Sequence, residues 1–388
     1  MQARRMSTSG EDAEECEGAC PWYVARQNKC MRAVLEHCTA RAEHNVVVSP
    51  SSLMTCMAML YLGAGEGRPR EQLRGFCWPD ADEAGWGADV RREADVVRAY
   101  VDALRRLDPD VFEVANVLLT DAGSPEYAAR IREHFGAEVH ALGGWEAANA
   151  RVAAVLRDGE HQDVPRALAR KPEATVLMNA SYFADQWESK FTAVFAGKFD
   201  SCFGKIPVRM MYQEQRLEHV DRDGMMAVRL PYRTPGLGAW FVKSTVKAAT
   251  RGALALADLA LETFLGGWSD LASTETRMEL TLPKFTMKFA VDLKAVFEGT
   301  GGVTDVFRAG GLANLSPGQE FVGAFSQDCY LQVDENGTVA KALTKIATTR
   351  GGCGERSVEA SFDHTFYMLV HHGERILFAA RVASPPLA

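Results

Sequence analysis

From Asn45 to Gly65 the chain reads NVVVSPSSLMTCMAMLYLGAG, 21 residues without a charge. Few folds can accommodate such a run. It is long enough in principle to cross a bilayer, but Ser49-Pro50-Ser51-Ser52 and Thr55 divide it into a short β-branched stretch and a helix that Ser49 or Ser51 can cap. The remaining MTCMAMLYLGAG is too short to span. A helix apolar on every side and rich in small residues needs cover all round, which only the centre of a large domain supplies. Membrane insertion is therefore not expected.

The rest of the 388 residues supports one such domain over 21–388. Residues 1–20 are Ser-, Gly- and Glu-rich and expected to be disordered. No repeat and no long polar linker interrupts residues 21–388. Helical spacing predicts helices over 22–42, 51–62, 69–76, 89–107, 125–135 and 145–157. From Thr175 strands take over. Residues 175–183 lack strict alternation, as a strand covered on both faces would, and 225–230, 239–242, 277–282 and 366–370 are further candidates. Helices are expected again over 252–265 and 289–297. Helices early and strands late give an α+β fold.

Leu331 to Val370 carries the functional signal. Thr338, Ala340, Ala342, Thr344, Ile346 and Thr348 form one alternating series, uncharged and mostly small; Val339, Lys341, Leu343 and Lys345 form the other. A period of two is the strand repeat, with one face suited to burial and the lysine face to water. The segment then reaches RGGCG, three glycines in five residues, expected as an exposed loop when left free. A stretch able to be a strand yet ending in a loose tip suggests a loop that changes state.

This pattern resembles the reactive-centre loop of the serpins, the serine protease inhibitor family. Other short stretches agree in order and approximate spacing: NVVVSPSSL from Asn45, NASYFADQW from Asn179, VRMMYQ from Val208, LPY from Leu230, LPKF from Leu282, GVTDVF from Gly302, DENGT from Asp334, FDHTFYMLV from Phe362 and ILFAARVASP from Ile376. The resemblance runs from about Trp22 to the end. It implies a single large domain with a large central mixed β-sheet, further sheets, about eight or nine helices, and an exposed reactive-centre loop over about 337–360.

The resemblance also implies a mechanism. A serine protease cleaves the loop, and the severed loop enters the sheet as a strand before the acyl-enzyme is hydrolysed. No catalytic residue is required of the inhibitor. Glu335, Gly337, Thr338, Ala340, Ala342 and Thr344 match the hinge. Counting the family's loop length from Gly337 puts the scissile bond after Gly351, or after Arg350 for a loop one residue shorter; Arg356 is a third candidate. Arg350–Gly351 is favoured, because arginine suits the acidic pocket of a trypsin-like protease. Ser49, Ser52 and Asn179 match a polar cluster beneath the central strands, with Gln327 where the family usually has histidine. The lysines of the loop and Gln327 depart from the common pattern, so a non-inhibitory binding, regulatory or chaperone protein of the same fold is the alternative.

Other classes find little support. A net charge of −8 argues against nucleic-acid binding. Nine cysteines, without C-x-x-C spacing, read as free thiols in a reducing compartment. The N-terminus has no apolar leader core, so a cytoplasmic protein is expected, with secretion by another route as the alternative. An intracellular or pathogen-encoded member in immune regulation fits that reading. Nine histidines form no metal motif, and no G-x-S-x-G, H-E-x-x-H or phosphate loop occurs. A monomer without metal or cofactor, partnered by a serine protease, is expected.

Overall fold

A computed structural model describes residues 21–41, 45–77, 101, 104–156, 168, 170–201, 203–246, 250–265, 273–300, 302–316, 318, 320–338 and 357–386. At its centre lies the uncharged run. Val46–Val48 forms strand β1, and Pro50–Gly63 forms helix α2, whose 14 residues are all buried. Helices α1 (Pro21–Arg41), α3 (Arg68–Cys77) and α4 (Pro125–Phe135) pack against it, and two strands cover the rest. Proline occupies the first turn, where its missing N–H costs nothing. Ser49 is the N-cap residue, but its hydroxyl caps nothing; it donates to Leu377 O instead (2.8 Å). Tertiary contact thus overrides the local cap.

Seven strands make the first sheet, in the order β3 (Glu138–His140), β2 (Phe112–Leu119), β4 (Thr175–Phe183), β12 (Val322–Val333), β13 (Gly337–Thr338) and β5 (Asp185–Gln186), with β11 (Phe285–Asp292) on the free edge of β12. All nine residues of β4 are buried. On one face Leu177 and Phe183 join the core around α2. On the other, Val176, Met178, Ala180 and Tyr182 pack in a second cluster with Ala148 and Val152 of α5 (Trp145–Val155). Two covered faces explain the missing alternation.

The second sheet has nine strands: β1, β16 (Arg375–Val382), β15 (Phe366–His372), β9 (Leu237–Ser244), β8 (Met225–Pro231), β7 (Gly204–Arg222), β10 (Thr274–Pro283) and β14 (Val358–Ser361), with β6 (Ala193–Ser201) on β7. Helix α6 (Thr250–Leu265) lies against β8, β9 and β15.

Among the described residues there are seven α-helices, the last being α7 (Leu293–Thr300), and not the eight or nine expected. The helix expected over 289–297 is split. Its first half pairs with β12 as the end of β11, and Asp292 Oδ1 then accepts from Ala295 N (3.2 Å), so the helix starts only at Leu293. The segment expected as a helix over 89–107 lies mostly outside the described residues, as do residues 1–20.

Candidate functional site

The end of β12 turns back on itself. Asp334 Oδ1 accepts from the backbone N–H groups of Asn336 (2.7 Å) and Gly337 (3.2 Å), and Asp334 N donates to Gly337 O (2.9 Å). This Asx turn starts β13, whose Thr338 stands opposite Val333 of β12 and Asp185 of β5, antiparallel to both. Thr338 is fully buried, and its hydroxyl lies 2.7 Å from Tyr232 Oη. Gly337 has no room for a side chain: a Cβ there would sit 2.1 Å from Asp185 O.

Aromatic and charged groups brace the turn. Trp187 stacks on Tyr232 at 4.5 Å, and its Nε1 donates to Asp334 O (3.0 Å). The N–H groups of Trp187 and Phe191 donate to Asn336 O (2.9 Å) and Glu335 O (3.0 Å). Lys190 Nζ donates to Asn336 Oδ1 (2.9 Å). Lys284 Nζ meets the Glu335 carboxylate at 2.6 Å. Partial burial opposes the charge on Glu335, but Lys284, with Arg209 nearby, holds its carboxyl below the usual range.

Glu335, Gly337 and Thr338, expected as part of the hinge, thus meet in one turn. Ala340, Ala342 and Thr344 lie outside the described residues, as do Arg350, Gly351, Arg356 and Cys353. Beyond them β14 runs parallel to β10 in the second sheet, so the two ends of the loop are held in different sheets.

Below the hinge the first sheet is closed. β4 and β12 pair in parallel from Thr175–Val322 to Tyr182–Tyr330, with Asn179 opposite Gln327. The four polar residues expected as a cluster come together there. Gln327 Oε1 accepts from Ser49 N (3.0 Å), and its Nε2 donates to Ser49 O (3.0 Å) and Asn179 Oδ1 (2.9 Å). Asn179 Nδ2 donates to Ser52 Oγ and to Asn116 Oδ1 (2.9 Å). All are buried. The network fastens both central strands to the start of α2. It separates only if its hydrogen bonds are exchanged, because buried polar groups must stay partnered.

On β12, Leu331, Cys329 and Gln327 share the face of Val333, toward α2, while Tyr330 and Asp328 share the other. Tyr330 and Asp328 are 1% and 2% exposed, and Tyr330 belongs to the cluster under α5; the lysines of the loop lie outside the described residues. Burial pushes the Asp328 carboxyl up to about 7.

Sequence reasoning singles out neither Asp328 nor the supports of the hinge. Trp187, Tyr232 and Lys284 sit inside quoted motifs, where an aromatic or basic residue beside a strand end is the available signal. Asp328, beside Ser326 and Gln327 on β12, gives none. Among the described residues, no group of three or more His, Cys, Asp or Glu could hold a metal ion, and no helix is long and apolar enough to cross a membrane. His371 is buried, hydrogen-bonded to Gly373 O (2.8 Å) and held down to about 4, chiefly by burial, as a structural histidine would be.

A family profile described as Serpin (serine protease inhibitor) matches residues 25–385. Iripin-2 of Ixodes ricinus is 27% identical over 350 residues, covering 85% of each chain. Serpin B9 of Homo sapiens is 24% identical, covering 90% of this chain and 95% of its own. Among solved structures, Serpin48 of the insect Tenebrio molitor superposes with a TM-score of 0.76 at 21% identity, covering 95% of this chain and 99% of its own. Human thyroxine-binding globulin, complexed with its ligand, gives 0.78 at 17% identity, covering 94% and 99%.

Proposed function

The chain belongs to the serpin family, and on that premise we propose that it is a suicide-substrate inhibitor of a trypsin-like serine protease. The family is one of protease inhibitors and not of enzymes. The protease attacks Arg350–Gly351 and is acylated. Released from β14, the amino-terminal part of the loop continues β13 down between β4 and β12. The observation that carries this reading is the seated Thr338, the second residue of β13, already paired on both sides. Insertion extends an existing hairpin and needs no new nucleus. The Gln327–Asn179 hydrogen bond and the β4–β12 ladder are what must open. They set the barrier that keeps the intact form kinetically trapped. Residence in the cytoplasm as a monomer and a role in immune regulation complete the proposal.

A second reading, a non-inhibitory binding, regulatory or chaperone protein, draws on the closed face. Lys341 and Lys345 would enter beside the buried Tyr330, and slow entry lets the acyl-enzyme hydrolyse.

Mixing the protein with trypsin decides between the two. A complex that survives denaturing electrophoresis, with a released peptide beginning at Gly351, is expected, and Arg350→Ala should abolish it. Clean cleavage without a complex, and without a rise in melting temperature of the cut protein, would leave the binding reading.

A further inference from the structure

Strand β14 is a weak element in a demanding place. It has four residues, ends the second sheet and pairs with β10 in parallel, the less stable kind of ladder per residue. Yet it holds the carboxy-terminal end of the loop, while β13 at the other end is seated in the first sheet. The fastening comes from residues 361–364. Phe362 N donates to Thr281 O of β10 (2.9 Å), and Asp200 N of β6 donates to Asp363 O (2.7 Å). The ring nitrogens of His364 lie 3.0 Å from Asp363 Oδ1 and 3.0 Å from Ser244 O of β9. Beside Ser244 stands Lys243, whose Nζ donates to Ser361 O (2.6 Å) and lies 5.2 Å from the centre of the Phe362 ring.

Lys243 is partly buried and Phe362 fully so. A hydrogen bond from a cation is stronger than one between neutral groups, and a cation over an aromatic face gains as water is excluded. On β9 the backbone of Lys243 pairs with Met226 of β8 and Phe366 of β15, in the middle of the sheet. The last carbonyl of β14 is therefore tied by a charge to the sheet's centre. We propose that Lys243, with His364 beside it, is a positioning clamp that keeps β14 in the second sheet and so keeps the uncut loop out of the first. This rests on the insertion reading. An uncut loop enters the first sheet only if its far end comes free, and Ser361 and His364 are where that end is held. Cleavage separates the entering part from β14, so the clamp matters to the intact protein and not to the cut one.

The test compares wild type, Lys243→Met, Lys243→Arg and His364→Leu as full chains. Methionine keeps the apolar stem of Lys243 and removes the cation. Each protein is held uncut below its melting temperature, and samples are taken over time for melting and for cleavage of the loop by an arginine-specific protease. Lys243→Met should pass to a form that melts higher and whose loop resists cleavage, roughly tenfold or more faster than wild type, the factor expected from losing one charge-assisted hydrogen bond. Lys243→Arg should restore the wild-type rate. Freshly prepared and then cut, the variants should show the same rise in melting temperature as wild type. A lysine that serves stability alone would lower the starting melting temperature and leave conversion unchanged, and that result would overturn the clamp. His364→Leu, which frees the same segment from Ser244 O, should also speed conversion; if Lys243→Met does not fold, unchanged conversion in His364→Leu overturns the clamp in its place. No rise in the cut wild type would overturn insertion itself, and the clamp with it, whereas a normal rise without faster conversion would overturn the clamp and leave insertion standing.

Discussion

Replacing Gly337 with alanine tests the hinge at its tightest point. The added Cβ would meet Asp185 O at 2.1 Å, Gln186 Cα at 2.7 Å and Asp185 C at 3.0 Å. All three are backbone atoms, so no side-chain rotation relieves the clash, and β13 must retreat by roughly 1 Å, the shortfall from ordinary contact. That retreat breaks the 2.7 Å contact between Thr338 and Tyr232 and strips the two-residue ladder from β5. A buried hydroxyl without a partner costs about 1–3 kcal/mol; with the lost ladder, about 2–4 kcal/mol is expected. For a chain of this length the unfolding entropy is about 0.8 kcal/mol per kelvin, which converts the loss to a fall of about 2.5–5 °C in melting temperature. Trp187 reports the same event, because it stacks on Tyr232 and donates to Asp334 O; its emission should shift. Gly75 is the control, since a Cβ there meets nothing within 4 Å, and within α3 alanine should be neutral or stabilising by under about 1 kcal/mol. Unchanged melting and unchanged emission in Gly337→Ala would refute the reasoning.

Gln327→Leu removes three hydrogen bonds and leaves the buried N–H and carbonyl of Ser49 without them; a loss of about 3 kcal/mol is expected in urea unfolding, with Gln327→His recovering part of it. Glu335→Gln removes the ion pair to Lys284, worth under about 1 kcal/mol because both groups are partly exposed. The folded pKa of Glu335 is depressed, so its contribution is present above the unfolded value of about 4.3 and lost as pH falls through the lower folded value. The stability difference between wild type and Glu335→Gln should therefore vanish in acid, as melting curves taken from pH 7 downward would reveal; a difference that persists below the folded pKa would contradict the assignment.

Much of this was legible because local pattern and tertiary role coincide. The uncharged run could only be a buried helix, and the unbroken apolar stretch of β4 could only be a doubly covered strand. Thr338 fell on the buried phase of the loop because a strand has two faces and one of them held lysines. Where several environments share one element, pattern fails. β7 spans 19 residues and pairs in turn with β6, β10 and β8, so its mixture of charge and apolarity has no single period. Residues 289–297 satisfy strand and helix spacing at once, and only pairing with β12 decides that the first part is strand. Asp328 was invisible for a different reason. An acid beside Ser326 and Gln327 reads locally as an exposed residue, and only the tertiary packing of the sheet leaves it 2% exposed.

The direction of the central strands has a further consequence. β4 and β12 run the same way, whereas β13 runs against both β12 and β5. Two parallel neighbours are what an alternating trio becomes when its middle member is taken out. An inserted loop strand restores the alternation, exchanging one slanted parallel ladder for two antiparallel ones of better geometry. On the proposed mechanism, the polarity of the sheet would therefore favour the added strand whatever its side chains, while the chain's tie from Thr338 across to β14 would withhold it. In that mechanism, sequence changes in the loop would tune how fast the exchange proceeds, while its direction would follow from the way the strands run.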